Sequence, residues 1–287
     1  MVIEKSIIKR KAKKISKIIF LVPSLVGVLV FVLIPFIQIV IKSFFTSLSF
    51  EFVGIKNYVT VIENEAFQVA LFNSMKFILL SLPLLLSFSL LIALVLYEST
   101  KFERTKYLFL YPLAMPAATI VLIWQLFFCK QGLLNKFLNT DIDFLNTDSA
   151  FYVLAGSYIW KNLGYTIILW IAGLKSIPKD MIEAAKVDGA NAEKILFRII
   201  FPNLSGCIYM ICVISLINSF KVFREAYLVS GAYPQESMYL VQHVLNNWYT
   251  RLDFDKLAAA ATLVAILLSA LSLLMQHLWD KAGNGYE

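Results

Sequence analysis

The stretch SYIWKNLGYTIILW at 157–170 sets Tyr158, Lys161, Asn162 and Tyr165 at three- and four-residue spacing, so that in a helix they share one face. Two phenols, an amide and an ammonium group presented together suit a hydroxyl-rich solute such as a sugar, which is held by hydrogen bonds and by aromatic surface. Lys161 is the sharpest feature. A charge at the centre of an apolar segment costs about 2.5–3.5 kcal/mol on insertion scales, so it is expected to face a bundle interior. There it either meets solute or is structural, paired with Glu225 or a backbone carbonyl. A second apolar segment carries Ser215, Asn218 and Ser219. No Ser/His/Asp grouping or pair of carboxylates falls within these segments. Cys129, Cys207 and Cys212 have no metal-ligand spacing and read as buried small hydrophobes. His243 and His277 lack a ligand constellation and are expected at the surface or an interface.

The elements that must position these residues follow from composition. Of the 287 residues, 59% are hydrophobic and only 16% charged, which is too apolar for a soluble domain of this length. A helix needs about 20 largely apolar residues to cross a bilayer. Six stretches qualify, near Ile18–Ile41, Val69–Tyr97, Tyr107–Phe128, Phe151–Leu174, Ile199–Phe220 and Leu257–Trp279. The expectation is an all-α, polytopic membrane protein with six transmembrane helices. Pro83 lies in the second, and Pro112 and Pro116 lie in the third, where neighbouring helices can accommodate them. Residues 1–17 form a basic N-terminal segment, and 18–287 form one transmembrane domain. The first apolar stretch is too long for a cleaved signal peptide and no small-residue cleavage site follows it, so it is kept as a span.

Basic residues are retained on the cytoplasmic side. With both termini cytoplasmic, 16 Lys and Arg fall in inner segments and 8 in outer ones, with Lys76 and Lys161 inside spans. That asymmetry also explains the formal charge of +7. Nucleic acid is therefore not an expected partner. The outer segment 221–256 has enough periodicity for a short surface helix near Met238–Tyr249, with Trp248 and Tyr249 suited to the membrane interface.

The inner segment 175–198 is charged yet strongly patterned. Ser176 can cap a helix near Ile177–Val187 whose first turn holds Pro178, with Ile177, Met181, Ala184 and Ala185 forming an apolar stripe. Gly189 suits the left-handed residue that ends such a helix. Asn191 can cap a second helix, 192–198, leading into the fifth span at Pro202. Alone in water a helix this short is marginal. It is expected to dock, either on its own chain or into a cytoplasmic partner.

Glu183-Ala184-Ala185, Asp188-Gly189-Ala190, Ile199 and Pro202 resemble, at matching spacing, the EAA loop of permease subunits of binding-protein-dependent ABC importers. The run Gly173-Leu174-Lys175-Ser176-Ile177-Pro178 resembles what precedes that loop in the carbohydrate branch. Further likenesses are Asn73-Ser74, Pro112, Pro116, Trp160 and Ser230-Gly231-Ala232-Tyr233-Pro234. Leu196, Phe201 and Ser205-Gly206 depart from the family pattern near the start of span five, which alters local packing.

The resemblance implies the type I ABC importer permease fold, with Glu183, Ala184, Ala185, Asp188, Gly189 and Pro202 coupling to an ATPase across the loop 175–202. It also implies, as in the maltose-type first permease, a sugar site that includes Tyr158, Asn162 and Tyr165 with Ser215, Asn218 and Ser219. Implied partners are a second homologous permease, an ABC ATPase dimer, an extracytoplasmic solute-binding protein, the lipid membrane and a carbohydrate, in a bacterial cytoplasmic membrane. The chain has no GxxxxGK[ST] phosphate loop. ATP and Mg are accordingly expected on the partner ATPase, with no cofactor in this chain. Amino-acid, phosphate or polyol import shares the same loop and stays open, whereas a membrane enzyme would need nucleophiles or metal ligands within the spans.

Overall fold

The computed structural model describes residues 21–97 and 102–283, with the side chains of 102–106, 278 and 280–283 outside that description. The chain is helical: α1 (Leu21–Lys42), α2 (Lys56–Ile62), α3 (Glu65–Leu96), α4 (Phe102–Ala114), α5 (Ala117–Phe128), α6 (Leu133–Leu138), α7 (Ser149–Ser176), α8 (Lys179–Val187), α9 (Ala192–Ile195), α10 (Ser205–Lys221), α11 (Phe223–Ser230), α12 (Val241–Thr250) and α13 (Phe254–Gly283). The basic segment 1–17 lies outside the described residues.

Five helical stretches among the described residues are long and apolar enough to cross a membrane: Leu21–Lys42, Glu65–Leu96, Ala117–Leu138, Ser205–Ser230 and Phe254–His277. The expected fourth span falls on α7, which has the length, at 28 residues, but is more polar because of Lys161, Asn162 and its tyrosines. It need not be as apolar, since much of its surface is covered by protein rather than lipid. The third span is not continuous. Pro116 stands as the extended N-cap of α5, and the helix breaks between Ala114 and Ala117. Pro83, by contrast, sits inside unbroken α3.

Two compact units emerge, one holding described residues from 21–62 and 248–265 and the other those from 63–247 and 266–283. In the first, no residue of α1 is buried. The link after it is folded back on itself by a bridge between Phe45 and Phe52, and the Asn57 amide donates to the carbonyls of Ser43 (2.9 Å) and Phe45 (3.0 Å).

In the second unit α7 packs lengthwise on α3 and also against α4 and α10. Two apolar clusters lie along it. Phe77, Leu85, Trp124, Phe151, Leu154 and Tyr158 surround its first half, and Leu90, Trp170, Leu174, Leu204 and Ile211 its second. Small residues set the spacing. A Cβ on Gly164 would lie 2.0 Å from the Phe109 carbonyl oxygen, and one on Gly173 2.8 Å from the Cys207 sulfur, so α4 and α10 approach α7 only because these positions are bare.

The segment 223–254 differs from expectation. Helix α12 is not merely a surface element, because Val241, His243, Val244, Asn247 and Trp248 are all buried while Tyr249 stays exposed. Asn73 and Ser74 tie this segment to α3. The Asn73 amide donates to the carbonyls of Glu236 (2.7 Å) and Tyr239 (3.1 Å), and the Val241 amide donates to Ser74 Oγ (3.0 Å).

Candidate functional site: a polar seam and an inner loop

Of the polar residues singled out on the fourth and fifth expected spans, Tyr158, Asn162, Tyr165, Ser215 and Asn218 meet along one seam between α7 and α10, whereas Lys161 turns to α11 and Ser219 lies beside Ser74 and Phe77 of α3. Tyr158 donates from its hydroxyl to the Ser215 carbonyl (2.6 Å), and Tyr165 shares a hydrogen bond with Ser215 Oγ (3.0 Å). The Asn162 amide donates to the Tyr158 carbonyl (2.7 Å). The Asn218 amide reaches Asn162 Oδ1 at 3.4 Å, and Lys221 Nζ donates to Asn218 Oδ1 (2.9 Å). Ser219 turns back on its own helix, donating to the Leu216 carbonyl (2.6 Å).

Lys161 forms an ion pair with Glu225 of α11. Glu225 is 2% exposed, and its Oε2 has no protein partner among the described residues. Removing Lys161 strands the buried Glu225 carboxylate at about 3–5 kcal/mol, whereas Lys161, whose side chain is 25% exposed, still reaches the cavity if Glu225 is lost. A cavity of about 220 Å³ opens beside it, lined by Leu113, Ser157, Tyr158, Lys161, Asn162, Asn218, Lys221, Val222 and Glu225. Tyr165, Ser215 and Ser219 do not line this cavity.

Sequence reasoning did not place Leu113, Ser157, Lys221 or Val222 here, and it offered Glu225 only as one possible partner of Lys161. A signal was present. Lys221, Val222 and Glu225 follow Asn218 by three, four and seven residues, one helical face continued from α10 into α11.

At the far end of α7 the chain makes the capped turn that its residue types predict. Gly189 has φ +77°, and Asn191 Oδ1 accepts from the Lys194 amide (2.9 Å). The beginning is different. Ser176 closes α7 and donates to the Gly173 carbonyl (2.7 Å), and extended Pro178 is the N-cap of α8, which therefore starts at Lys179. The apolar stripe is also divided. Ile177 is buried, and Ile182 and Ala185 pack into the cluster around Leu174 and Leu204, whereas Met181, Glu183, Ala184, Asp188 and Gly189 are exposed and Val187 is 88% exposed.

After α9 the backbone widens into a π-turn, Leu196–Ile200, before an α-helical turn, Phe201–Asn203. Pro202 accounts for it. Without an N–H it cannot bond the Arg198 carbonyl, and its ring would crowd that group in a regular helix. Pro35 follows the π-turn Leu29–Leu33 in α1 in the same way.

Outside both regions, His243 is fully buried rather than superficial. Its Nδ1 accepts from the Leu240 amide (3.1 Å), its ring packs edge-on to Phe223, and Nε2 has no partner among the described residues. Burial lowers its pKa to about 4. The three cysteines are free and half-buried, and no group of three or more His, Cys, Asp or Glu able to hold a metal occurs among the described residues.

A multi-span helical chain with a polar seam between two spans, and a capped, partly open helix-turn at the end of one of them, is a membrane transport subunit. Residues 70–282 match the family described as binding-protein-dependent transport system inner membrane component, and the chain belongs to that family. It is 31% identical over 289 residues to the probable ABC transporter permease protein YurN of Bacillus subtilis, covering 94% of this chain and 98% of that one. It is 31% identical over 231 residues to the arabinooligosaccharides transport system permease protein AraP of Bacillus subtilis, covering 76% of this chain and 73% of AraP. Its fold matches a chain in the crystal structure of a bacterial ABC transporter involved in the import of the acidic polysaccharide alginate, with a TM-score of 0.81 at 22% identity, covering 95% and 98% of the two chains.

Proposed function

We propose that this chain forms half of the translocation path for a carbohydrate, an oligosaccharide in particular, and that Tyr158, Lys161, Asn162, Tyr165, Ser215, Asn218 and Ser219 build the solute-facing seam. The observation that carries this reading is the hydrogen-bonded cavity between α7 and α10, whose amide, phenol and charged groups have the chemistry of sugar recognition. The name of AraP, which assigns that relative to arabinooligosaccharides, supports the same solute class.

The mechanism is alternating access. A second, homologous permease completes the path, an extracytoplasmic binding protein delivers the solute, and a dimer of ABC ATPases binds ATP and Mg. With both termini cytoplasmic, the loop 175–202 meets that ATPase through Glu183, Ala184, Ala185, Asp188 and Gly189, while Pro202 shapes the chain's return into span five. The exposure of Met181, Ala184 and Val187 supports a docking face there. Closure of the ATPases moves the loop, and the spans exchange inward-facing and outward-facing arrangements around the solute.

The experiment is uptake of radiolabelled oligosaccharides by cells lacking or carrying the gene, with copurification of an ATPase subunit. Gene-dependent uptake of a sugar is expected. Uptake of an amino acid, phosphate or polyol instead would move the solute class, and failure to bring down an ATPase would remove the coupling assignment.

A further inference from the structure

We infer that Glu225 is a solute-contacting, specificity-determining residue whose Oε2 accepts a hydrogen bond from one hydroxyl of a sugar ring seated in the cavity. The inference rests on the carbohydrate reading and adds to it a residue of α11, beyond the two helices α7 and α10 that carry the seam.

The argument is an inventory of acceptors. Of the carboxamide and carboxylate oxygens lining the cavity, Asn162 Oδ1 already accepts from Asn218, Asn218 Oδ1 from Lys221, and Glu225 Oε1 from Lys161. Glu225 Oε2 is left with no protein donor, although the residue is 2% exposed. A buried charged oxygen without a donor is costly, so the fold retains it at a penalty unless a ligand or water completes it. Lys161 occupies Oε1 and so fixes which oxygen is free. A sugar hydroxyl is the donor that the surroundings suit.

The cavity holds about 220 Å³ within this chain, and in the proposed path the second permease closes its open side. One free carboxylate oxygen reads one hydroxyl of the solute.

The test compares wild type with K161M/E225M, which removes both charges and the acceptor oxygens at 225 together and so leaves neither charge stranded. Complete transporters in cells are assayed for uptake of labelled arabinotriose and maltotriose and of their terminal-ring monodeoxy analogues. Selectivity of the binding protein is common to both strains and cancels in the comparison.

Wild type is expected to disfavour one monodeoxy analogue by roughly tenfold to a hundredfold, the factor for a lost hydrogen bond to a charged group. The double variant, inserted and bound to its ATPase as in wild type, is expected to lose that preference. If the double variant fails to reach the membrane, E225D, which keeps the charge but withdraws the oxygen, carries the same comparison. A variant that retains the full wild-type preference makes the ion pair purely structural and overturns the inference, as does a wild type indifferent to every analogue. If wild type imports none of these sugars, the carbohydrate reading falls first and takes the inference with it, a result visible before any variant is made.

Discussion

Trp170 of α7 donates from its indole Nε1 to Ser89 Oγ of α3 at 2.9 Å, and both side chains are buried. Ser89 is itself satisfied, donating to the Leu85 carbonyl (2.6 Å), so the serine is a relay between a span's backbone and its neighbour's side chain. Replacing Ser89 by Ala strands the indole N–H where no water can replace the partner, at about 1–3 kcal/mol. S89A should lower the thermal midpoint of the purified complex. A double-mutant cycle with W170F should show coupling between the two positions, and coupling indistinguishable from zero would mean the bond contributes nothing.

The loop variants should separate assembly from coupling. Gly189 has the positive φ that an L side chain adopts poorly, and Pro fixes φ near −65° and has no N–H, whereas the Gly189 amide donates to the Lys186 carbonyl (3.1 Å). G189P, and E183K by reversing charge on an exposed position of α8, should abolish uptake of every solute while the protein still inserts. Normal ATPase association and uptake in both would remove the coupling assignment.

Asn162 and Asn218 should behave differently. N162L or N218L deletes hydrogen-bonding capacity at similar volume, and stranding a partner costs about 1–3 kcal/mol. Native uptake should fall roughly tenfold or more, with assembly and basal ATP hydrolysis intact. Unchanged concentration dependence of uptake in both variants would make these residues structural and put the path on another face.

Orientation is open to direct labelling. A cysteine placed at the partly buried loop position Ala190 should resist membrane-impermeant thiol reagents in intact cells, and one at Ser237 should react. The reverse pattern would overturn the cytoplasmic location of the loop.

His243 gives the fold an acid-sensitive point. Its folded pKa of about 4 lies below the unfolded value of about 6.5, so the neutral form is the one the structure favours. Its contribution is full above about pH 6.5 and is lost as pH falls toward 4. Unfolding midpoints measured from pH 7 to 4 should fall less steeply for H243L than for wild type. Equal slopes would show that His243 does not titrate on unfolding.

How much of this was legible in the sequence depends on whether a feature is local. Gly189 and Asn191 announce their conformations because the reasons are intraresidue or within one turn: a missing Cβ and a short side chain that reaches the third amide. The seam was legible from polar residues repeating in apolar helices. Glu225 was legible as one of two partners offered for Lys161 but not as a buried cavity residue, because a carboxylate in an outer segment reads as solvated until α11 packs against α5 and buries it. His243 was misjudged for a similar reason. Burial at 240, 243, 244, 247 and 248 follows helical spacing, but a lone histidine carries no apolar signal of its own. The start of α8 lies two residues later than expected because Pro178 disfavours helical backbone at Ile177, which is extended and ends α7, so that Pro178 itself becomes the N-cap.

The inner cluster has a mechanical consequence. Ile182 and Ala185 of α8 share it with Leu174 of α7 and with Leu204 and Ile211 around the start of α10. The loop helix is thus bolted to the ends of the two spans that carry the seam and does not hang free. A push on its open face would reach both spans as a torque, with the π-turn before Pro202 lying between the loop and α10. Stiffness of a few side chains would then set how much of the stroke reaches the solute.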